Sequence, residues 1–180
     1  MDAAMDANEQ ELLDIVCYPD ERLRKQCKLV REIDDVLVET AEQMLETMYS
    51  SEGIGLAAPQ VGLDVSLVVL DVDLERKGNR IWLNPKIISM EGVDEGDEGC
   101  LSVPGVRGVV RRAEKIKVRA YDPKGRCVEM KLDGLPARAW QHETDHLHGV
   151  LFVDLLSPVS RFHVRGQLKE LENQAKNEPR

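Results

Sequence analysis

The stretch Q141-H-E-T-D-H-L-H-G149 contains the pattern H-E-x-x-H, two histidines four residues apart with a glutamate directly after the first. On a helix such residues stand about 40° apart around the axis, so His142 and His146 share a face and can ligate one metal ion. Glu143, roughly 100° from His142 and 60° from His146, flanks that face as a general base without being forced to ligate. A catalytic divalent site takes three protein ligands and keeps a position for water, whose pKa the ion lowers toward about 7. Two ligands are in hand, and a third is required.

A downstream glutamate would supply it in the manner of thermolysin-like proteases. Glu170 and Glu172, however, fall on the charged face of S160-R-F-H-V-R-G-Q-L-K-E-L-E-N173, where Phe162, Leu168 and Leu171 form the packing stripe of a C-terminal helix. Upstream, Cys100 lies in E98-G-C-L-S-V-P-G105, a glycine-flanked segment bounded by a proline that offers open backbone and a soft thiolate. Cys100 is the stronger candidate. Cys17, Cys27 and Cys127 have no such surroundings and read as small buried hydrophobes. A Cys-His-His set suits iron(II), zinc, cobalt or nickel, and the ligand types do not choose among them. His148 and His163 read as solvent-facing. Asp145, about 60° to the far side of His142, reads as the ion-pair partner of Arg111 or Arg112 and not as a ligand.

The elements that must hold these residues follow from periodicity. The helix carrying the histidines starts near L135-P-A-R138, where proline suits a first turn, and is expected to end at Gly149. Trp140, Thr144 and Leu147 anchor its back, and the small Ala139 lies in line with the metal face. I33-D-D-V-L-V-E-T-A-E-Q-M-L-E-T-M-Y49 places Leu37, Ala41, Met44, Leu45 and Met48 at helical spacing behind capping aspartates, which predicts a long amphipathic helix. V65-S-L-V-V-L-D-V72 and I81-W-L-N-P-K-I-I-S-M90 read as strands, the second interrupted by Pro85. I116-K-V-R-A-Y-D122 and C127-V-E-M-K-L-D133 alternate around the turn D122-P-K-G125 and predict a hairpin. Alone, S51-E-G-I-G-L-A-A-P-Q-V-G62 would read as a plain turn with Gln60 exposed.

At 180 residues and 42% apolar, the chain is expected to form a single domain over residues 1–180, with residues 1–10 and 173–180 frayed. A formal net charge of -9 argues against nucleic acid or an anionic membrane surface as partner. The first 21 residues carry acids and no Lys or Arg, and no apolar run approaches the ~20 residues of a membrane span. The setting is therefore read as cytoplasmic, with an organelle kept open for a trimmed chain. Four cysteines in such a chain read as reduced thiols.

Three separated segments, G53-I-G-L-A-A-P-Q60, E98-G-C-L-S102 and Q141-H-E-T-D-H-L-H-G149, resemble the signature motifs of peptide deformylases in order and separation. The likeness runs on through Y18-P-D-E-R-L-R24, A113-E-K-I-K-V-R-A120 and G149-V-L-F-V-D-L-L-S157 with the adjoining Pro158, covering roughly residues 15–171. With the element order, it implies an α+β fold in which antiparallel β-sheets wrap a central metal-binding H-E-x-x-H helix, flanked by a long N-terminal and a C-terminal helix. It implies Cys100, His142 and His146 as metal ligands and Glu143 as general base and acid. Gln60 and the Leu101 backbone N–H are implied as oxyanion stabilisers. Gly55, Ile54, Arg107 and Ala139 are implied to bind substrate, and Asp145 to pair with Arg112.

The implied reaction is removal of the N-formyl group from the first methionine of newly made proteins by metal-activated water, releasing formate. One divalent ion per chain is expected, Fe2+ natively, with Zn2+, Ni2+ or Co2+ in purified protein. The partners are N-formyl-methionyl nascent polypeptides near the ribosome exit, with neither specific nucleic-acid nor membrane binding. Two departures bear on substrate choice. Pro59 stands where many members have threonine or serine, and the plant-organelle-like L135-P-A-R138 puts Arg138 near the methionine pocket, where it is expected to narrow or re-polarise it.

Overall fold

The structure is a computed structural model and describes residues 12–72 and 78–177. Its elements in chain order are α1 (Asp35–Ser50), β1 (Gly55–Ala57), β2 (Leu67–Leu70), β3 (Ile81–Glu91), β4 (Asp94–Cys100), β5 (Val103–Arg112), β6 (Lys115–Tyr121), β7 (Cys127–Asp133), α2 (Gly134–His146) and α3 (Pro158–Asn177). Five strands form one antiparallel sheet in the order β1-β2-β3-β6-β7, while β4 and β5 pair as a separate two-stranded sheet.

Strand β2 shows why helices cover both faces of the larger sheet. All four of its residues are buried, and alternation sends Leu67 and Val69 one way and Val68 and Leu70 the other. Leu67 and Val69 join Leu56, Leu83 and the Ala41, Met44 and Met48 stripe of α1 in one core. Val68 and Leu70 join Trp82, Val118 and Ala120 against Ala137 and Trp140 of α2 and Leu147 just past its end in a second. Trp140 meets Trp82 with ring centroids 5.5 Å apart. Helix α2 is thus anchored on the sheet by its apolar back, and its histidine face turns away from that core.

Local chemistry sets the element ends. The Asp34 side chain accepts from the Leu37 N–H at 2.8 Å and caps α1. Pro85 falls where the β3–β6 register shifts between Leu83 and Lys86, so its missing N–H costs no ladder bond. Helix α2 ends at His146, and Gly149, the expected cap, follows in the left-handed region at φ 73°.

Several expectations are corrected. Phe162 is 70% exposed, and Val164 and Leu168 are the residues that seat α3 on Val103, Val106 and Val110 of β5, with Leu171 partly buried. Cys27 is buried, but Cys17 and Cys127 are exposed and are not core hydrophobes. Helical backbone runs through residues 173–177, expected to be frayed, whereas residues 1–10 lie outside the described residues. The β4–β5 hairpin has no counterpart among the expected strands. Its first strand, D94-E-G-D-E-G-C100, has two glycines and four acids and no β-branched residue to announce it.

Candidate active site

The second turn of the histidine face converges with the end of β4. Cys100 Sγ lies 3.3 Å from His146 Nε2, and the two histidine Nε2 atoms are 3.3 Å apart. Ligand atoms from Cys100, His142 and His146 all fall within 4.8 Å of one another. Nitrogens about 2.0–2.1 Å from a tetrahedral centre stand roughly 3.3 Å apart, so the spacing fits one small transition-metal ion. One thiolate and two imidazoles favour such an ion over a hard cation that demands oxygen ligands. Glu170 is no part of this group; it accepts from Gln174 on the exposed side of α3. Glu172 departs from the expected solvated face, because it is half-buried and accepts from the Tyr18 hydroxyl at 2.6 Å.

Each histidine is fixed from outside. His142 Nδ1 meets Glu98 Oε2 at 3.0 Å, which leaves Nε2 for the converging face, and its ring stacks on Phe152. Glu98 is itself saturated. Arg112 donates to both of its oxygens at 2.8 and 2.9 Å, and Arg138 to Oε1 at 2.7 Å. Burial alone would raise the Glu98 carboxyl, but the bonds from Arg112 and His142 outweigh it and hold the group far below the usual carboxylate range. Burial opposes charge on His142 as well, yet its bonds to Cys100 and Glu98 lift it to about 10, while burial pulls His146 well below its ordinary value. Arg112 also pairs with Asp145, as the resemblance implies.

Glu143 is buried, and burial raises its carboxyl to about 7. Its Oε2 has no hydrogen-bond partner among the described residues. The carboxyl packs on the backbone of Gly55: a Cβ there would stand 2.8 Å from Glu143 Cδ. Only glycine lets β1 pass so close.

Gln60 is buried at 2% exposure, against the plain-turn reading of its loop. It sits in a single 3₁₀ turn, Ala58–Val61, opened by Pro59. Its Oε1 accepts from the Ala57 N–H at 2.8 Å, which turns Nε2 toward Ser102 Oγ and Cys100 Sγ at 3.2 and 3.4 Å. Leu101 follows Cys100 in a tight turn, and its side chain is packed into the α1 core.

Gly55, Gln60, Cys100, Leu101, His142 and Glu143 line one cavity of about 600 Å³ together with Ile54, Arg107, Arg138 and Ala139. Ile54 is 45% exposed at its edge, and Arg107 is paired there with Asp97 at 2.6 Å. Arg138 reaches the wall, but its guanidinium is spent on Glu98, Asp94 and three carbonyls, so it does not offer a free charge to the pocket. This corrects the expectation that it re-polarises the pocket. His148 and His163 are exposed, as expected.

Two features have no clear mark in the sequence. Glu98 stands in the motif around Cys100 without a role of its own there; the signal for one is that a buried ligating imidazole needs an acceptor on its other nitrogen. The segment 16–18 is the other. Val16 N–H donates to the Gln60 carbonyl and Tyr18 N–H to the Ser102 carbonyl, both at 2.7 Å, so one short strap ties the two loops together.

A soft triad beside a buried carboxylate in an open cavity is the equipment of a mononuclear metallohydrolase. The sequence model of the polypeptide deformylase family matches residues 12–162. The peptide deformylase of Chromobacterium violaceum is 46% identical over 163 residues, covering 91% of this chain and 98% of that protein. A crystal structure of a peptide deformylase from Legionella pneumophila superposes with a TM-score of 0.82 at 42% identity, covering 94% of this chain and 100% of that one. The deformylase 1B of Arabidopsis thaliana, solved with an inhibitor, gives 0.85 at 38% identity over 91% of this chain and 92% of its own. The chain belongs to the polypeptide deformylase family, metal-dependent hydrolases that remove the N-formyl group from nascent peptides.

Proposed function

We propose that this chain cleaves the formyl amide of N-formyl-methionyl chains with Cys100, His142 and His146 holding one divalent ion and Glu143 moving the proton. The observation that carries the reading is the convergence of those three donors, two of which, Cys100 and His142, line one cavity with Glu143 and Gln60. When bound, the ion acidifies a water and draws electrons from a carbonyl oxygen. The ionised Glu143 carboxylate takes a proton from the attacking water as its oxygen closes on the formyl carbon. Negative charge then grows on the formyl oxygen, and Gln60 Nε2 and the Leu101 N–H receive it, at about 3 kcal/mol for each such donor. Glu143 returns the proton to the leaving nitrogen, the C–N bond breaks, and formate and a free amino terminus leave.

The remaining cavity residues hold the substrate. The Gly55 backbone pairs with the peptide main chain, Ile54 and Ala139 supply apolar wall, and Arg107 stands at the edge. Iron(II) is the ion we assign in the cell, with zinc, nickel or cobalt accepted by the same donors; a mixed thiolate and imidazole set supports all four. The substrate would be met as chains leave the ribosome, and the bacterial relative supports a cytoplasmic setting.

The test is formate release from formyl-methionyl peptides by protein purified anaerobically, with Glu143→Ala as control. Release by the intact protein and its loss in the variant are expected. A metal-replete intact protein that releases no formate would overturn the proposal.

A further inference from the structure

We propose that Arg138 is a positioning residue for the metal centre, clamping β4, which carries Glu98 and Cys100, to α2, which carries His142 and His146. The inference rests on the ligand assignment above and adds to it a device that sets the distance between the ligands.

Such a device is needed because the ligands come from two bodies. Strand β4 pairs with β5, and among the described residues neither is hydrogen-bonded into the five-stranded sheet that anchors α2. Backbone ladders therefore fix Cys100 relative to β5, and apolar packing fixes the histidines relative to the larger sheet. Neither fixes one to the other.

Arg138 spans that gap from the α2 side. Its Nη1 donates to Glu98 Oε1 at 2.7 Å and to the Val110 carbonyl at 3.0 Å, with the Gly96 carbonyl at 3.4 Å. Its Nη2 donates to the Asp94 carbonyl at 2.9 Å and to Asp94 Oδ2 at 2.7 Å. Arg138, 8% exposed as a residue, thus bonds through one guanidinium to both strands of the hairpin. A buried guanidinium has a rigid fork of donors, so satisfying them on fixed backbone carbonyls leaves little freedom in the separation of α2 and β4. The same Glu98 that Arg138 holds is the acceptor for His142 Nδ1, so the clamp also sets the plane of that ring.

Gly96 is the hairpin's half of the fit. A Cβ at that position would stand 2.9 Å from both Arg138 Cζ and Nε and 3.1 Å from Nη2. The guanidinium lies flat on β4 only because residue 96 has no side chain.

The test measures zinc affinity at pH 7 by competition with a chromophoric chelator, beside the melting temperature of each metal-free form. Arg138→Leu is expected to weaken zinc binding about tenfold or more, the scale on which partners behind the ligands act. Arg138→Lys should recover part of it, because one ammonium can serve only some of the acceptors. Gly96→Ala, which leaves Arg138 in place but pushes its guanidinium off β4, should weaken binding similarly. The double variant Gly96→Ala with Arg138→Leu should be no weaker than Arg138→Leu alone, since the clash is gone.

A merely structural role would lower the melting temperature and leave zinc affinity at the parent value; that result overturns the proposal. Should Arg138→Leu fail to fold, parental affinity in both Gly96→Ala and Arg138→Lys overturns it equally. Failure of the underlying ligand assignment looks different: the parent protein itself would not bind zinc, or Cys100→Ala would bind it as tightly.

Discussion

Glu143 and Gln60 are both buried in the same cavity, yet the physics asks different things of them. Glu143 has an oxygen without a hydrogen-bond partner among the described residues and a carboxyl that burial raises to about 7, the condition of a group that can both accept and return a proton near neutrality. Glu143→Gln keeps the shape and removes the proton site, so formate release should fall by ~10²–10⁴-fold while bound metal, measured by elemental analysis, stays at one per chain. Gln60 instead presents a fixed donor, oriented by the Ala57 N–H on its other end. Gln60→Leu should lower kcat/KM about 10²-fold, the worth of a single oxyanion donor, again with metal retained. A variant that loses its metal instead would move Gln60 from the reaction to the support of Cys100.

At the scale of elements, the strand β1 must pass against α2 for these groups to meet, and Gly55 is the point of contact. Gly55→Ala should therefore displace the Glu143 carboxyl, cutting formate release by tenfold or more with little change in zinc affinity, since no ligand moves. Unchanged turnover would show that the backbone can shift at no cost. The helices were legible for the same reason this contact exists: α1 and α2 each carry an apolar face at helical period, and H-E-x-x-H is set by spacing within one of them. The β4–β5 hairpin was not legible, because its acidic, glycine-rich first strand is chosen by what lies against it. Glycine at 96 admits Arg138 and the acid at 98 meets two arginines and a histidine, relations that only the folded chain displays.

For the whole molecule, Cys100 could be singled out among four cysteines by its neighbours in sequence, but that Cys27 is buried while Cys17 and Cys127 are exposed depends on tertiary packing. Cys27 ties that burial to the stability of the fold. Its N–H donates to the Leu147 carbonyl at 2.9 Å, just past the end of α2, and its thiol lies in the core between α2 and the sheet. Burial raises that thiol to about 11. A free thiol titrates near 8.5, so the fold holds this proton more tightly than the unfolded chain does. The stabilisation is complete below about pH 8.5 and is lost as pH climbs toward 11. At pH 8, iodoacetamide should label the exposed Cys17 and Cys127 quickly, whereas Cys27 should wait for α2 to leave the sheet. An ion that binds only the folded form must deepen that protection. Zinc at a hundred times its dissociation constant should slow Cys27 labelling about a hundredfold, block Cys100, and leave Cys17 and Cys127 as they were. Peptide mapping by mass spectrometry reads all four sites at once. Equal rates at Cys27 with and without zinc would mean that the helix can leave the sheet while its histidines stay on the ion, and would separate the stability of the core from that of the site.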